Sequence, residues 1–176
     1  EADIPREIGA NIDPDAIHIA REALVEEIST QNQEVFERLY RDVETSQSFS
    51  PDAQSAGERA LRNVLLDYLS AIKSDPELAE AQFVSATNMT DEAAALTVLA
   101  HRFPGHARSV EALKRFEAKY ADDPLVLDKW FQIQATTPGA AAMEVVQALT
   151  QHPGFSLANP NRVRALIGTF ASMNQT

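Results

Sequence analysis

The sequence predicts an all-α chain, built as a curved stack of antiparallel helix pairs in the manner of an armadillo- or HEAT-like superhelix. Three observations carry that prediction. Six prolines directly follow a good helix N-cap residue, apolar side chains recur at spacings of three and four through most of the chain, and no segment alternates polar and apolar residues between hairpin turns. Proline suits the first helical position because its missing N–H has no intrahelical partner there, while the preceding side-chain oxygen accepts a bond from a free amide.

Taken in order, Asp13-Pro14 opens a helix with its apolar stripe from Ile17 to Ile28, and a second stripe runs from Val35 to Val43. Ser50-Pro51 opens the next. Here Ala60, Leu61, Val64, Leu65, Tyr68, Leu69 and Ile72 fall on one face, which leaves Glu58, Arg62 and Asp67 outside it. Asp75-Pro76 precedes the stripe from Leu78 to Val84. Thr90 is the next start, with Asp91 and Glu92 favouring the positive end of the helix dipole and Ala93 to Phe103 forming the stripe. A helix from near Arg108 carries Val110 to Tyr120, Asp123-Pro124 opens Leu125 to Ile133, and Thr137-Pro138 precedes Met143 to Leu149. Asn159-Pro160 opens the last, with Val163, Leu166, Ile167 and Phe170 as its buried stripe. The starts near Asp75, Arg108 and Thr137 are about 30 residues apart, the length of one helix–turn–helix unit. Tetratricopeptide and ankyrin signatures are absent. Stacked pairs of this length generate a concave face suited to a large partner.

Composition narrows the function. The chain has 176 residues with 26 acidic and 15 basic side chains, a net charge of −11, and no basic cluster. Phosphate backbones and anionic lipid surfaces are repelled, so neither nucleic acid nor membrane is an expected partner. With 44% hydrophobic residues the chain can bury a core. The absence of cysteine excludes disulfides, thiolate metal sites and a cysteine nucleophile, and no apolar run approaches the roughly 18–20 residues that span a bilayer. The N-terminal Glu1-Ala-Asp-Ile-Pro-Arg-Glu has no signal-peptide character and no initiator methionine, as expected of a fragment.

The residues alone name no reaction. None of His18, His101, His106 and His152 belongs to a zincin motif, so no catalytic zinc is expected in this chain. His101-Arg-Phe-Pro-Gly-His106 reads as a helix C-terminus complementing the dipole, followed by a proline–glycine stop. The acid pairs Glu26-Glu27 and Asp122-Asp123 read as solvated, and the six glycines form no phosphate-cradling loop. Trp130, the only tryptophan, and Phe131 are expected to anchor the core between helices. Arg162 and Arg164 are anomalous. Cations near a helix N-terminus oppose the dipole, so they need acidic partners, from this chain or from a ligand.

The succession Arg59-Ala-Leu-Arg-Asn-Val-Leu-Leu66, Asn88-Met-Thr-Asp91, Asp123-Pro-Leu-Val-Leu-Asp-Lys-Trp-Phe131 and Phe155-Ser-Leu-Ala-Asn-Pro-Asn-Arg-Val-Arg-Ala-Leu-Ile-Gly-Thr-Phe170 resembles the C-terminal helical domain of the bacterial aminopeptidase N family, alanyl aminopeptidases of the zinc metallopeptidase type. The match in order and spacing runs from about residue 10 to residue 173. The resemblance implies a cytoplasmic, multidomain hydrolase that removes N-terminal residues from peptides, with its zinc, its general base and its recognition of the free amine in an upstream catalytic domain. This chain would be inactive alone. Its implied partners are the catalytic and β-domains of the same polypeptide, over which the helical domain closes to shape a peptide cavity and channel. Asn161, Arg162 and Arg164 match the family's Asn-Pro-Asn-Arg-Val-Arg pattern. Arg164 corresponds to an arginine turned toward that cavity, where it complements the peptide beyond the scissile bond.

The resemblance further implies that residues 1–13 are a linker from a preceding domain and that residues 14–176 are the helical domain, stopping short of helices the family has beyond Thr176. A terminal layer without its neighbour is expected to expose an apolar edge along Val163 to Phe170. A stand-alone α-solenoid binding scaffold would share the charge and periodicity, though not the four ordered blocks. An independent enzyme with a carboxylate site explains less.

Overall fold

The structure is a computed structural model that describes residues 3–43 and 49–174, so residues 1–2, 44–48 and 175–176 of the two segments discussed above lie outside it. Every regular element among the described residues is helical: α1 Ile4–Ile8, α2 Pro14–Gln31, α3 Gln33–Asp42, α4 Ala53–Ala71, α5 Glu77–Ser85, α6 Met89–Arg102, α7 Ala107–Lys119, α8 Pro124–Ala135, α9 Ala142–Leu149, α10 Pro160–Val163, a π-helical turn Arg164–Gly168, and α11 Thr169–Met173. The last three run on as one rod. The nine expected stripes therefore each find a helix, and α1 adds one short turn without a buried residue inside the segment 1–13.

Three of the six proline starts hold as read. Asp13 accepts from the amide of Ala16, Asp123 from those of Leu125 and Val126, and Asn159 from those of Asn161 and Arg162, each with proline at the first helical position. The others move. Ser50 does not cap α4; Asp52 does, accepting from the amide of Ser55, and Ser50 instead donates its hydroxyl to Asp52. Those hydrogen bonds, Ser50 first, hold the Asp52 carboxyl below its usual range. Pro76 takes the cap position of α5, with Asp75 accepting from the amide of Glu77. Thr137 turns its hydroxyl back to the Ile133 carbonyl, and α9 begins only at Ala142. Thr90 lies inside α6, whose cap is Asn88. Helix α7 is capped by His106, whose Nδ1 accepts from the amide of Arg108. It is preceded by Gly105 at φ 75°, a left-handed conformation that glycine adopts without strain.

The helices form two rows. Along one, α2, α4, α6, α8 and the final rod pack side by side; along the other, α3, α5, α7 and α9 alternate with them, and there close packing between successive members is confined to α5 and α7. The closer-packed row carries a groove along its face and is called the inner row. Between the rows sits one core, in which Leu66, Leu69, Leu96, Leu99, Phe116, Phe131 and Leu166 are fully or almost fully buried. Trp130 and Phe131 anchor it as expected, their rings edge-to-face at 5.0 Å and the indole N–H donating to the Leu113 carbonyl.

The α4 stripe is rotated from the expected one. Arg62, expected outside, is 8% exposed with its guanidinium 5.1 Å above the Tyr40 ring, whereas Leu61 and Val64 are 42% and 53% exposed. A cation over an aromatic face can be buried at tolerable cost, which a hydrophobic count does not register.

Candidate functional site

The inner row encloses a groove of about 880 Å³. Its walls come from α2 (His18, Arg21, Glu22), α4 (Val64, Asp67, Tyr68) and α6 (Ala94, Thr97, His101, Arg102), and Thr136, Met173 and Asn174 close its far end. A shallower extension past Lys129, Gln132 and Thr169 continues it along α8 and α11. One cation ties the groove's floor together. Arg102, at the last turn of α6, makes two bonds to Asp67 of α4, at 2.8 and 3.2 Å, and a third to Glu22 of α2. Burial opposes its charge, but the hydrogen bonds and charges of Asp67 and Glu22 outweigh it and leave the Arg102 pKa above its usual value. His101, beside it, is held below its ordinary pKa chiefly by burial, and its Nε2 lies 3.0 Å from the Ile133 carbonyl.

Reaching the groove at Asn63, a polar network fixes α3, α4, α5 and α6 together. Tyr40 donates to Gln82 at 2.8 Å, Gln82 donates to Asn63 at 2.7 Å, and Asn63 donates to Asp91 at 3.0 Å. Asn88 caps α6 through Asp91's amide and also donates to Asp91's carboxylate. A satisfied buried network specifies one arrangement of the helices it joins. Glu92, 6% exposed, is held by Lys119 and Tyr120 of the next layer.

The residues singled out from the sequence divide. Arg162 is 4% exposed, its Nε 3.2 Å from Asp128 and its guanidinium 5.0 Å above the Phe131 ring; the acidic partner its position demanded comes from this chain. Arg164 is exposed, with Nη1 3.5 Å from Asn161, which is also exposed. The three do not line the groove; Arg164 and Asn161 share a neighbouring surface of the final rod. The acid pairs Glu26-Glu27 and Asp122-Asp123 are exposed. Among the described residues, no group of three or more His, Asp or Glu is placed to hold a metal ion. His152 packs on Trp130, with Nδ1 accepting from the Gly154 amide and Nε2 2.8 Å from Glu117.

Arg102, Asp67 and Glu22 escaped sequence reading because they lie on three helices, and no local spacing links them. The four ordered blocks have a physical reading in the structure. The first two meet through Asn63 and Asp91, and the last two through Asp128 and Arg162 and through the Phe131 and Phe155 rings, 6.2 Å apart. Each pairing locks one seam of the inner row.

Comparison with known proteins agrees with this arrangement. The family described as "Domain of unknown function (DUF3458_C) ARM repeats" matches residues 1–176. The chain is 42% identical over 164 residues to aminopeptidase N of Caulobacter vibrioides, covering 92% of this chain and 19% of that protein. It is 38% identical over 163 residues to aminopeptidase N of Haemophilus influenzae, covering 93% and 18%. It is 36% identical over 166 residues to aminopeptidase N of Escherichia coli, covering 93% and 19%. The solved structure of Legionella pneumophila aminopeptidase A in complex with aspartic acid superposes with a TM-score of 0.80 at 28% identity, over 90% of this chain and 20% of that one. The chain thus spans about one-fifth of the length of these relatives and aligns with their C-terminal part. It belongs to the DUF3458_C family of ARM-repeat domains, found here as the C-terminal helical part of aminopeptidases N.

Proposed function

We propose that this chain is the accessory domain of a zinc-dependent aminopeptidase: its concave row closes over a catalytic domain of the same polypeptide and forms one wall of the cavity through which peptides reach the active centre. The observation that carries the reading is the groove along the inner row, walled by four or more helices, in a chain similar throughout to the C-terminal part of aminopeptidases N. The described residues do not fit a zinc site. In this reading the zinc and the water it activates belong to the rest of the polypeptide, and the chain contributes shape, exclusion of bulk water and charge. Arg164, exposed and beside Asn161, would meet the peptide beyond the scissile bond, with Arg162 holding the helix beneath it. Such contacts act on binding and orientation of the peptide, while the bond-breaking step stays with the catalytic domain.

The test is hydrolysis of an alanyl chromogenic amide by the full-length parent and by this chain alone, each with and without a zinc chelator. The proposal expects activity in the parent that the chelator removes and added Zn²⁺ restores, and none from this chain. Reproducible hydrolysis by this chain alone would place the chemistry in the wrong part of the protein.

A further inference from the structure

Arg164 opens the π-helical turn, and the residue after that turn is Thr169, which is 9% exposed. In an α-helix the Arg164 carbonyl would receive the amide four residues on; here the amide of Thr169, five residues on, bonds to it. The Thr169 hydroxyl donates to the same carbonyl at 3.1 Å. One buried residue therefore fastens the Arg164 carbonyl twice, once through its backbone amide and once through its side-chain hydroxyl. On the other side of Arg164, the backbone is fixed by Arg162, inserted between Asp128 and the Phe131 ring, and by the Asn159 cap. The side chain is guided as well. A Cβ at Gly168 would lie 3.6 Å from Arg164 Cγ, so the stem runs along the glycine, and the head stands 3.5 Å from Asn161 Oδ1. An exposed arginine ordinarily loses considerable rotamer entropy when it pairs, and a fixed backbone with a guided stem removes part of that loss beforehand.

Resting on the reading of Arg164 above, we propose that Thr169 is a positioning residue: its hydroxyl, donated to the Arg164 carbonyl beside the amide bond of the π-turn, holds that peptide group so that a pre-oriented guanidinium meets a carboxylate of the peptide substrate. That carboxylate is either the peptide's C-terminus or an acidic side chain. The planar fork of arginine suits either, and π-turns inside α-helices recur where a side chain must be re-aimed for function.

The experiment uses the full-length parent as wild type and as Arg164→Ala, Thr169→Val, Thr169→Ser and the Thr169→Val/Arg164→Ala double variant. KM and kcat are measured for a neutral pentapeptide as free acid, the same peptide amidated at its C-terminus, and an amidated peptide carrying one aspartate. Thr169→Val is expected to raise KM about three- to tenfold for a carboxylate-bearing peptide, the range of one net hydrogen bond, with the loss mainly in KM. Thr169→Ser, which keeps the hydroxyl, stays within about twofold of wild type, and Thr169→Val adds nothing to Arg164→Ala. Whether the free acid or the aspartyl peptide responds identifies which carboxylate is read. Equal effects on charged and uncharged peptides, or a full additional effect in the double variant, would overturn the inference. Wild-type KM values for Arg164→Ala on every peptide would instead refute the cavity reading on which it rests.

Discussion

Replacing Asp128 with alanine is expected to destabilise this chain by about 3 kcal/mol, while Arg162→Met costs about 1 kcal/mol. The asymmetry follows from where each charge can go. The Arg162 side chain is 5% exposed and that of Asp128 is 15% exposed, and Arg162 Nη1 is buried without a hydrogen-bond acceptor among the described residues. Guanidinium cannot shed its proton at any accessible pH, so removing Asp128 leaves a buried cation, which in proteins costs about 3–5 kcal/mol. The Phe131 ring 5.0 Å away remains and returns about 1–2 kcal/mol of that, which sets the estimate at the lower end. Methionine at 162 keeps the stem's contact with Phe131 and leaves only Asp128, whose side chain is 15% exposed and can take up water. Urea unfolding followed by the fluorescence of Trp130, the sole tryptophan, and by circular dichroism gives both values. In a domain of this size, about 3 kcal/mol corresponds to a Tm loss of about 6–12 °C. Asp128→Ala within about 0.5 kcal/mol of wild type, or Arg162→Met as costly as Asp128→Ala, would refute the buried cation as the source of the loss.

Burial lowers the pKa of His101, so as pH falls below the ordinary histidine value of about 6.5 the unfolded chain takes up its proton first. Stability is complete above that value and declines through the window beneath it; the urea midpoint should slope between pH 7 and 5, and His101→Gln should flatten that slope. Asn88→Ala removes both the α6 cap and a donor to the buried Asp91 carboxylate, and should cost about 2 kcal/mol in the same unfolding assay, against about 1 for an ordinary cap. Arg102→Met releases the link from α6 to Glu22 and Asp67, so hydrogen exchange should quicken in α2 more than in α8; equal protection in both would contradict the role given to that cation.

The parts of this fold visible in the sequence are those determined by local chemistry. Asp13, Asp123 and Asn159 could be read as caps because a proline at the next position excludes most alternatives. Ser50-Pro51 and Thr137-Pro138 have the same signature and start no helix, since Asp52 offers a stronger acceptor in the one case and Ile133's carbonyl captures the hydroxyl in the other. Arg162's need for an acidic partner followed from its clash with the helix dipole, but the identity of that partner, one layer away on α8, did not. Hidden entirely were Arg62 over Tyr40, the Gln82 network, the Arg102 triad and the π-turn. Each depends on contacts between residues distant in sequence or on an inserted backbone hydrogen bond, neither of which leaves a periodic trace.

Whether the inner row borders the peptide's path is tested most directly by photocrosslinking of the full-length parent. A peptide carrying a benzophenone beyond its third residue would be bound with the zinc removed, irradiated, and its adducts mapped by mass spectrometry. Benzophenone favours methionine, and the chain supplies an internal comparison: Met173 lines the groove at 66% exposure, and Met143 on α9 of the other row is 51% exposed. The account predicts adducts at Met173 and its groove neighbours, suppressed by excess unlabelled peptide, and none at Met143. Specific adducts confined to the α9 row, or absent from this chain altogether, would contradict it.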